Sequence, residues 1–395
     1  MKNVYNFYMP TRILFGQNSL KKLSGILDLY SERNFLIVTD KGIISAGILN
    51  KITNVTDMKG VKYQIFSEVE PNPKSATIKK GVDFATQNKI DFIIAVGGGS
   101  SIDTAKAIAV MLRNPGSILD YEGVGNIPNQ PVETIAIPTT AGTGSEVTAS
   151  TIVTDESTLF KVAVISEKIF PTYAIVDPML TLECPKSITS STGIDALTHA
   201  IESYLSKQVN GVVSEMALNA IKLINDNILN AYIRGDDIES RTNLLEASML
   251  AGLCFSQTRL GNVHAISQSF GGIFDIPHGF ANAVLLPYVL EFNLLAAVDK
   301  YCDIAKAMSV YDEKLSKNEN AYKVIERIVE LNEQLDIPKT TKELGINLDS
   351  IEVLIRDSLR SGNIKVNPRI TNASDVKKII EDSYYGKLNL LEVSK

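Results

Sequence analysis

Only three histidines occur in the 395-residue chain, His199, His264 and His278. Neutral imidazoles are common ligands of divalent metals, so the setting of each one matters. In the run Gly193-Ile194-Asp195-Ala196-Leu197-Thr198-His199-Ala200-Ile201-Glu202, Asp195 and His199 stand at i and i+4 of a helical pattern. A carboxylate and an imidazole therefore share one helix face, as chelation requires. His264 opens a second helical pattern, and His278 sits between Pro277 and Gly279 in a turn that re-aims the chain. One carboxylate with three imidazoles would hold Fe2+ or Zn2+ and leave a position open for a substrate oxygen.

A second group suits an anion. Gly97-Gly98-Gly99-Ser100-Ser101-Ile102-Asp103 follows the apolar run Phe92 to Val96 and opens a helical pattern. Backbone N–H groups and the helix dipole there would face a phosphate. The stretch is neither standard fingerprint: Ile102 stands where G-x-G-x-x-G needs its last glycine, and the Gly-Lys-Ser/Thr of a P-loop is missing. Asp40 ends the run Phe35 to Thr39, where a carboxylate can accept from a ribose diol and repel a 2'-phosphate. The loop Pro138-Thr139-Thr140-Ala141-Gly142-Thr143-Gly144-Ser145-Glu146 follows another strand pattern. Its hydroxyls and small residues suit diphosphate or nicotinamide contacts.

These residues need elements to position them. Short β-branched runs at 35–40, 63–66, 92–96 and 134–138 alternate with helical patterns such as Ser75 to Asn88 and Ser101 to Met111, the rhythm of a parallel sheet. After Asp177-Pro178 the pattern turns helical as far as Tyr385, with 348–372 the least regular part. The expectation is an α/β N-terminal dinucleotide-binding domain, residues 1–183, and an all-α C-terminal metal-binding domain, residues 184–395.

Composition bounds the partners. At 45% hydrophobic and 21% charged residues the chain has apolar mass for more than one core. A net charge of -6 offers no basic excess for a phosphate backbone, which argues against nucleic acid. No apolar stretch is expected to approach the ~20 residues of a membrane helix, and Met1 to Pro10 has no apolar leader core, so the expected location is the cytoplasm. Cys184, Cys254 and Cys302 are odd in number and widely spaced, which reads as inert thiols.

Taken together, Gly97 to Ser100 with Asp103, Pro71-Asn72-Pro73, the Pro138 to Glu146 loop, Gly193 to Glu202, and Val263-His264-Ala265 through Pro277-His278-Gly279 resemble the iron-dependent, or group III, alcohol dehydrogenases over nearly the whole chain. That resemblance implies NAD(P) and a divalent metal meeting between the two domains. It implies Asp195, His199, His264 and His278 as metal ligands, and Asp40, Asn72, Gly98, Gly99, Ser100, Thr139, Thr140, Thr143 and Lys161 along the dinucleotide site. It also implies a homodimer or a multiple of one.

Three departures set this chain apart. Gln268 stands where the family usually has a histidine four residues after the third ligand. Ser256-Gln257-Thr258-Arg259-Leu260-Gly261 replaces the common Ser-Asn-x-Gly-Leu-Gly. Gln257, Arg259 and Gln268 are expected to flank the metal, where planar donors would favour a short aldehyde with an anionic tail, such as sulfoacetaldehyde. The expected activity is NAD(H)-linked reduction of a small-molecule aldehyde. Alternatives are neutral short aldehydes or diols, a lyase resembling dehydroquinate synthase, and a non-catalytic nucleotide-binding module.

Overall fold

A computed structural model of the protein describes residues 4–388. Two compact units emerge. The first comprises Met9–Cys184 and Asp236–Leu245; the second comprises Pro185–Gly235, the chain from Glu246 onward and the segment ending at Tyr8.

The first unit is the α/β one. Its strands are β1 (Arg12–Phe15), β2 (Asn34–Asp40), β3 (Lys62–Val69), β4 (Phe92–Gly97), β5 (Gly123–Val124), β6 (Glu133–Pro138), β7 (Ser150–Asp155), β8 (Phe160–Ile165) and β9 (Tyr173–Val176). Between them lie α1 (Leu23–Leu29), α2 (Lys41–Ser45), α3 (Ile48–Lys59), α4 (Ser75–Gln87) and α5 (Gly99–Met111). Six strands form one parallel sheet in the order β1-β9-β6-β4-β2-β3. Both faces are covered, which is why β2 and β4 read as unbroken apolar runs. Alternate residues separate the two cores. Phe35, Ile37, Phe92, Ile94 and Val96 pack with Leu23, Leu27 and Ile52 of α1 and α3, whereas Leu36, Val38, Ile93 and Ala95 pack with Ile78, Ile102 and Ile108 of α4 and α5. Strand order reverses between β2 and β4, so the carboxyl ends of those two strands flank a topological switch point, where open α/β sheets bind ligands. A β5-β8-β7 sheet, with β7 and β8 antiparallel, stands apart from the parallel rhythm of the sequence.

The second unit is helical: α6 (Lys186–Leu205), α7 (Gly211–Ile233), the later part of α8 (Ile238–Thr258), α9 (Asn262–Phe274), α10 (His278–Asn293), α11 (Val298–Ala307), α12 (Lys317–Gln334), α13 (Ile351–Arg360) and α14 (Ala373–Tyr385). The span His278–Ala296 is long and apolar enough to cross a membrane, contrary to the expectation from sequence. It is mostly buried and packs on α6, α9, α12 and α14, so its apolar character serves a protein core.

A single cut between 183 and 184 misses two exchanged pieces. The segment ending at Tyr8 groups with the helices, since both ends of the Gln257 amide bond the Tyr8 backbone, at 3.1 and 3.0 Å. Asp236–Leu245 groups with the α/β unit, where Arg241 donates to the Cys184 carbonyl at 3.2 Å.

Candidate active site and metal centre

The residues expected to hold a dinucleotide all lie in the α/β unit. Asp40 ends β2 and caps α2: its Oδ1 accepts from Ile43 N at 3.0 Å, and its Oδ2 accepts from Ser101 Oγ at 3.0 Å. That second bond ties the ends of β2 and β4 together across the switch point. Gly97 has φ +145°, and a methyl there would meet Ser101 Oγ at 2.5 Å, so only glycine permits the turn. Gly98 lies against Thr140, and Gly99 leaves no room for a side chain beside Thr143. Thr139 N donates to the Gly97 carbonyl at 3.1 Å, and Ser100 lies in the first turn of α5, partly buried. The loops after β4 and β6 thus pack on each other, glycine backbone against threonine side chains. Asn72 and Lys161 form a separate pair, Nζ to Oδ1 2.6 Å, with Asn72 in a left-handed turn at φ 52°.

Beneath that loop lies a buried ionic group that sequence reading missed. Lys106 Nζ contacts the carbonyls of Ser145, Thr148 and Ser150 at 2.5 to 3.0 Å, and Asp103 accepts from Ser145 Oγ at 2.5 Å and Ile152 N at 2.9 Å. Burial pulls Lys106 down to about 8, although Asp103 and Glu146 oppose it. Burial likewise pushes Glu146 up to about 7.

The metal candidates all lie in the helical unit. Asp195 and His199 are one turn apart on α6, His264 is in the first turn of α9, and His278 begins α10. Gly279 lets α10 start close to α6, since a methyl there would meet the Ser191 carbonyl oxygen at 2.5 Å. Nε2 of His264, His199 and His278 lie 3.6, 3.8 and 4.0 Å from Asp195 Oδ1. These separations are too long for hydrogen bonds and close to the ~3.4 Å between ligand atoms arranged tetrahedrally at ~2.1 Å from one ion. One ligand atom each from Asp195, His199 and His264 lie within 4.8 Å of one another. The His199 and His264 rings stack at 4.6 Å, and the His264 and His278 rings meet edge-on at 5.2 Å.

Two partners carry no functional assignment from sequence. Glu202 Oε2 holds His264 Nδ1 at 2.6 Å while its Oε1 accepts from Val263 N at 2.7 Å, so one carboxylate caps α9 and orients its histidine. The Asn282 amide nitrogen lies 2.6 Å from Asp195 Oδ1, 3.0 Å from His264 Nε2 and 3.1 Å from His278 Nε2. Two amide hydrogens cannot serve three lone pairs, which a cation would. Burial works against an ionised Asp195, yet the facing His199, His278 and His264 hold its carboxyl well below the usual range. Burial also works against a charged His264, and Asp195 and Glu202 outweigh it, raising the imidazole to about 9. Two buried carboxylates around convergent imidazoles form a donor set that fits a divalent ion. Spacing did carry a signal: Glu202 is at i+7 from Asp195, and Asn282 at i+4 from His278.

Comparison with known proteins agrees with this geometry. Residues 10–178 match the iron-containing alcohol dehydrogenase family, and residues 189–384 match its C-terminal region. The chain belongs to the iron-containing alcohol dehydrogenase family. It is 36% identical over 378 residues to the NAD-dependent methanol dehydrogenase of Bacillus methanolicus, covering 96% of this chain and 99% of the other. The solved structure of a 1,3-propanediol oxidoreductase is similar at a TM-score of 0.93 and 35% identity, with 97% and 100% covered. That of a sulfoacetaldehyde reductase from Bifidobacterium kashiwanohense in complex with NAD+ is similar at 0.87 and 29%, with 98% and 100% covered. This protein is accordingly a metal-containing alcohol dehydrogenase, and the lyase and binding-module alternatives fall away.

The three departures from the family pattern in this dehydrogenase do not stay together. Gln257 is turned to the N-terminal segment, where the Tyr8 backbone uses both ends of its amide, so it is not placed to serve a substrate. Gln268, one turn beyond His264 on α9, accepts from Ser361 Oγ at 3.5 Å. Arg259 takes a left-handed conformation at φ 57°, and its guanidinium lies against Gly362.

Proposed function

We propose that this enzyme is an NAD(H)-linked, metal-dependent reductase of a short aldehyde with an anionic tail, sulfoacetaldehyde being the best-fitting example. The observation that carries the substrate class is Arg259. The residue is partly buried, and no carboxylate or other acceptor pairs with its guanidinium among the described residues. A cation without a partner is open to an anion, and an anionic substrate would provide one.

Asp195, His199, His264 and His278 would hold the metal, which supplies a Lewis acid for the carbonyl oxygen when bound. Nicotinamide, when bound, would supply the hydride. Glu202 engages His264 at Nδ1, so Nε2 is the atom that this imidazole would offer a metal once deprotonated. Asp40, Gly98, Gly99, Ser100, Thr139, Thr140 and Thr143 would carry the dinucleotide at the switch point, with Asn72 and Lys161 beside it. Asp40 would also favour NAD over NADP, since its carboxylate would repel a 2'-phosphate. Gln268 cannot titrate near neutral pH, so the product hydroxyl takes its proton from water or a ribose hydroxyl.

The likeness to the 1,3-propanediol oxidoreductase favours a second reading, a neutral short aldehyde or diol. A panel of sulfoacetaldehyde, succinate semialdehyde, propionaldehyde and lactaldehyde with NADH, followed by absorbance, separates the two. The first reading expects kcat/KM to favour the anionic members by about ten- to a hundredfold, the worth of one charged hydrogen-bonding contact. Preference for the neutral members selects the second.

A further inference from the structure

The seat of the Arg259 side chain is a glycine. At Gly362 the backbone is not in the left-handed region, so its conformation does not demand glycine. The only atoms that a methyl group on Gly362 would meet within 4 Å belong to Arg259, Nη1 in collision and Cζ at 3.6 Å. Neither backbone nor a packed core side chain stands in the way. A side chain at 362 would therefore have to displace the guanidinium, the flexible end of Arg259.

The neighbouring residue points the same way. Asn363 N donates to Ser361 Oγ at 3.4 Å, and Ser361 Oγ donates to Gln268 Oε1 at 3.5 Å. With its acceptor end engaged, the amide of Gln268 has its donor end, Nε2, to offer. The guanidinium of Arg259 and the amide group of Gln268, which meets Ser361 through Oε1, thus border one two-residue stretch, Ser361–Gly362. No carboxylate lies within ion-pair distance of the guanidinium among the described residues. The stretch is also close to the metal centre. Gln268 is one helical turn from His264, about 5–6 Å between Cβ atoms. Gly261, two residues after Arg259, is so close to Glu202 Oε1 that a methyl would meet it at 2.9 Å.

We infer that Arg259, Gln268 and the side-chain gap at Gly362 form an oxyanion subsite for the tail of the substrate, a sulfonate, phosphonate or carboxylate, with Gly362 the element that lets the guanidinium occupy it. The inference rests on the anionic-tail reading above and adds to it a specificity-determining residue with no functional group. Its consequence is coupling: filling position 362 expels the guanidinium and should cost the same binding as removing it.

The test uses the metal- and NAD+-loaded protein with ethanesulfonate as an unreactive anionic probe and ethyl methyl sulfone as its neutral counterpart, both titrated by calorimetry. The wild type is expected to bind the sulfonate at least about tenfold more tightly than the sulfone, in keeping with one charged contact. Gly362→Ala and Arg259→Ala should each lose about tenfold in sulfonate affinity, and the double variant no more than either single one. Gly362→Ser provides a second side chain at the same place, and circular dichroism verifies folding of each variant. Sulfonate affinity within twofold of wild type in Gly362→Ala and Gly362→Ser would overturn the inference, as would losses that multiply in the double variant. Both results leave the anionic-tail reading standing. A wild type that does not distinguish sulfonate from sulfone overturns that reading and the subsite together.

Discussion

Glu202 on α6 grips His264 on α9 through Nδ1 at 2.6 Å, and its other oxygen takes the Val263 N–H at 2.7 Å. A histidine at the first turn of a helix has a mobile backbone unless that turn is capped, and here the cap and the orienting partner are the same carboxylate. Glu202→Gln keeps an acceptor and a similar volume but surrenders the charge that favours the Nδ1–H tautomer. Metal affinity, measured by chelator competition, should fall about ten- to a hundredfold, as for other outer-shell partners of metal-bound histidines. His264→Ala should lose the metal and turnover outright. Full metal content in Glu202→Gln after dialysis against chelator would remove Glu202 from the metal site.

Cofactor choice is expected to turn on Asp40. Its two oxygens already accept from Ile43 N and Ser101 Oγ, so the carboxylate is held rigidly at the end of β2 and cannot swing from a 2'-phosphate. NADH should have the higher kcat/KM in the wild type, and Asp40→Gly should narrow the gap, because glycine costs an N-cap only a few tenths of a kcal/mol while removing the charge. Equal kcat/KM for the two cofactors in the wild type would defeat this assignment.

Much of this architecture is legible in the order of residues, and the reasons differ by element. The apolar runs of β2 and β4 followed by Asp40 and Gly97 announce strand ends at a switch point, since burial on both faces leaves no polar alternation. Asp195 and His199 declare themselves by i,i+4 spacing. The antiparallel β7–β8 pair does not, because a run such as Val162 to Ile165 reads as one more strand and the direction in which it pairs leaves no mark in its own residues. The metal centre's Glu202 and Asn282 lie on the right helical faces, but a Glu or Asn in a helix is ordinary until its partner on another element is known. Gln257 shows the opposite failure. Two residues from Arg259 in sequence, it faces Tyr8, because the end of α8 turns neighbouring side chains in different directions. The Arg259–Gly362 relationship spans helices and could be found only in three dimensions.

Stability should carry the signature of the buried group under the β6 loop. Glu146 is 1% exposed, its Oε1 has no hydrogen-bond partner among the described residues, and burial raises its carboxyl from 4.5 to about 7. Between those values the folded chain binds a proton that the unfolded chain does not. Its contribution is therefore fully present below 4.5 and lost as pH rises through 7. Glu146→Gln should melt above wild type at pH 8, and the gap should close as pH falls from 7 towards 4.5. A gap that does not change with pH would show that Glu146 shares one protonation state in both forms.

What Arg259 costs and what it does are separable. At φ 57° any residue with a Cβ is strained by about 1–2 kcal/mol, and glycine is not. Arg259→Ala keeps that strain and loses the guanidinium; Arg259→Gly loses both. The two variants should therefore share one catalytic phenotype and differ in stability. Each should lower the ratio of kcat/KM for the anionic over the neutral aldehyde by about ten- to a hundredfold. Arg259→Gly should melt about 2–4 °C above Arg259→Ala, the shift expected for ~1 kcal/mol in a unit of this size. On this reading a chain that keeps a strained arginine where glycine would relax the backbone would be trading stability for a contact. Unchanged aldehyde preference in both variants would leave the strain without that explanation. Equal melting temperatures would show instead that the loop relaxes when the side chain is cut, so that the left-handed turn is imposed by the guanidinium reaching Gly362 and not by the fold of α8 and α9.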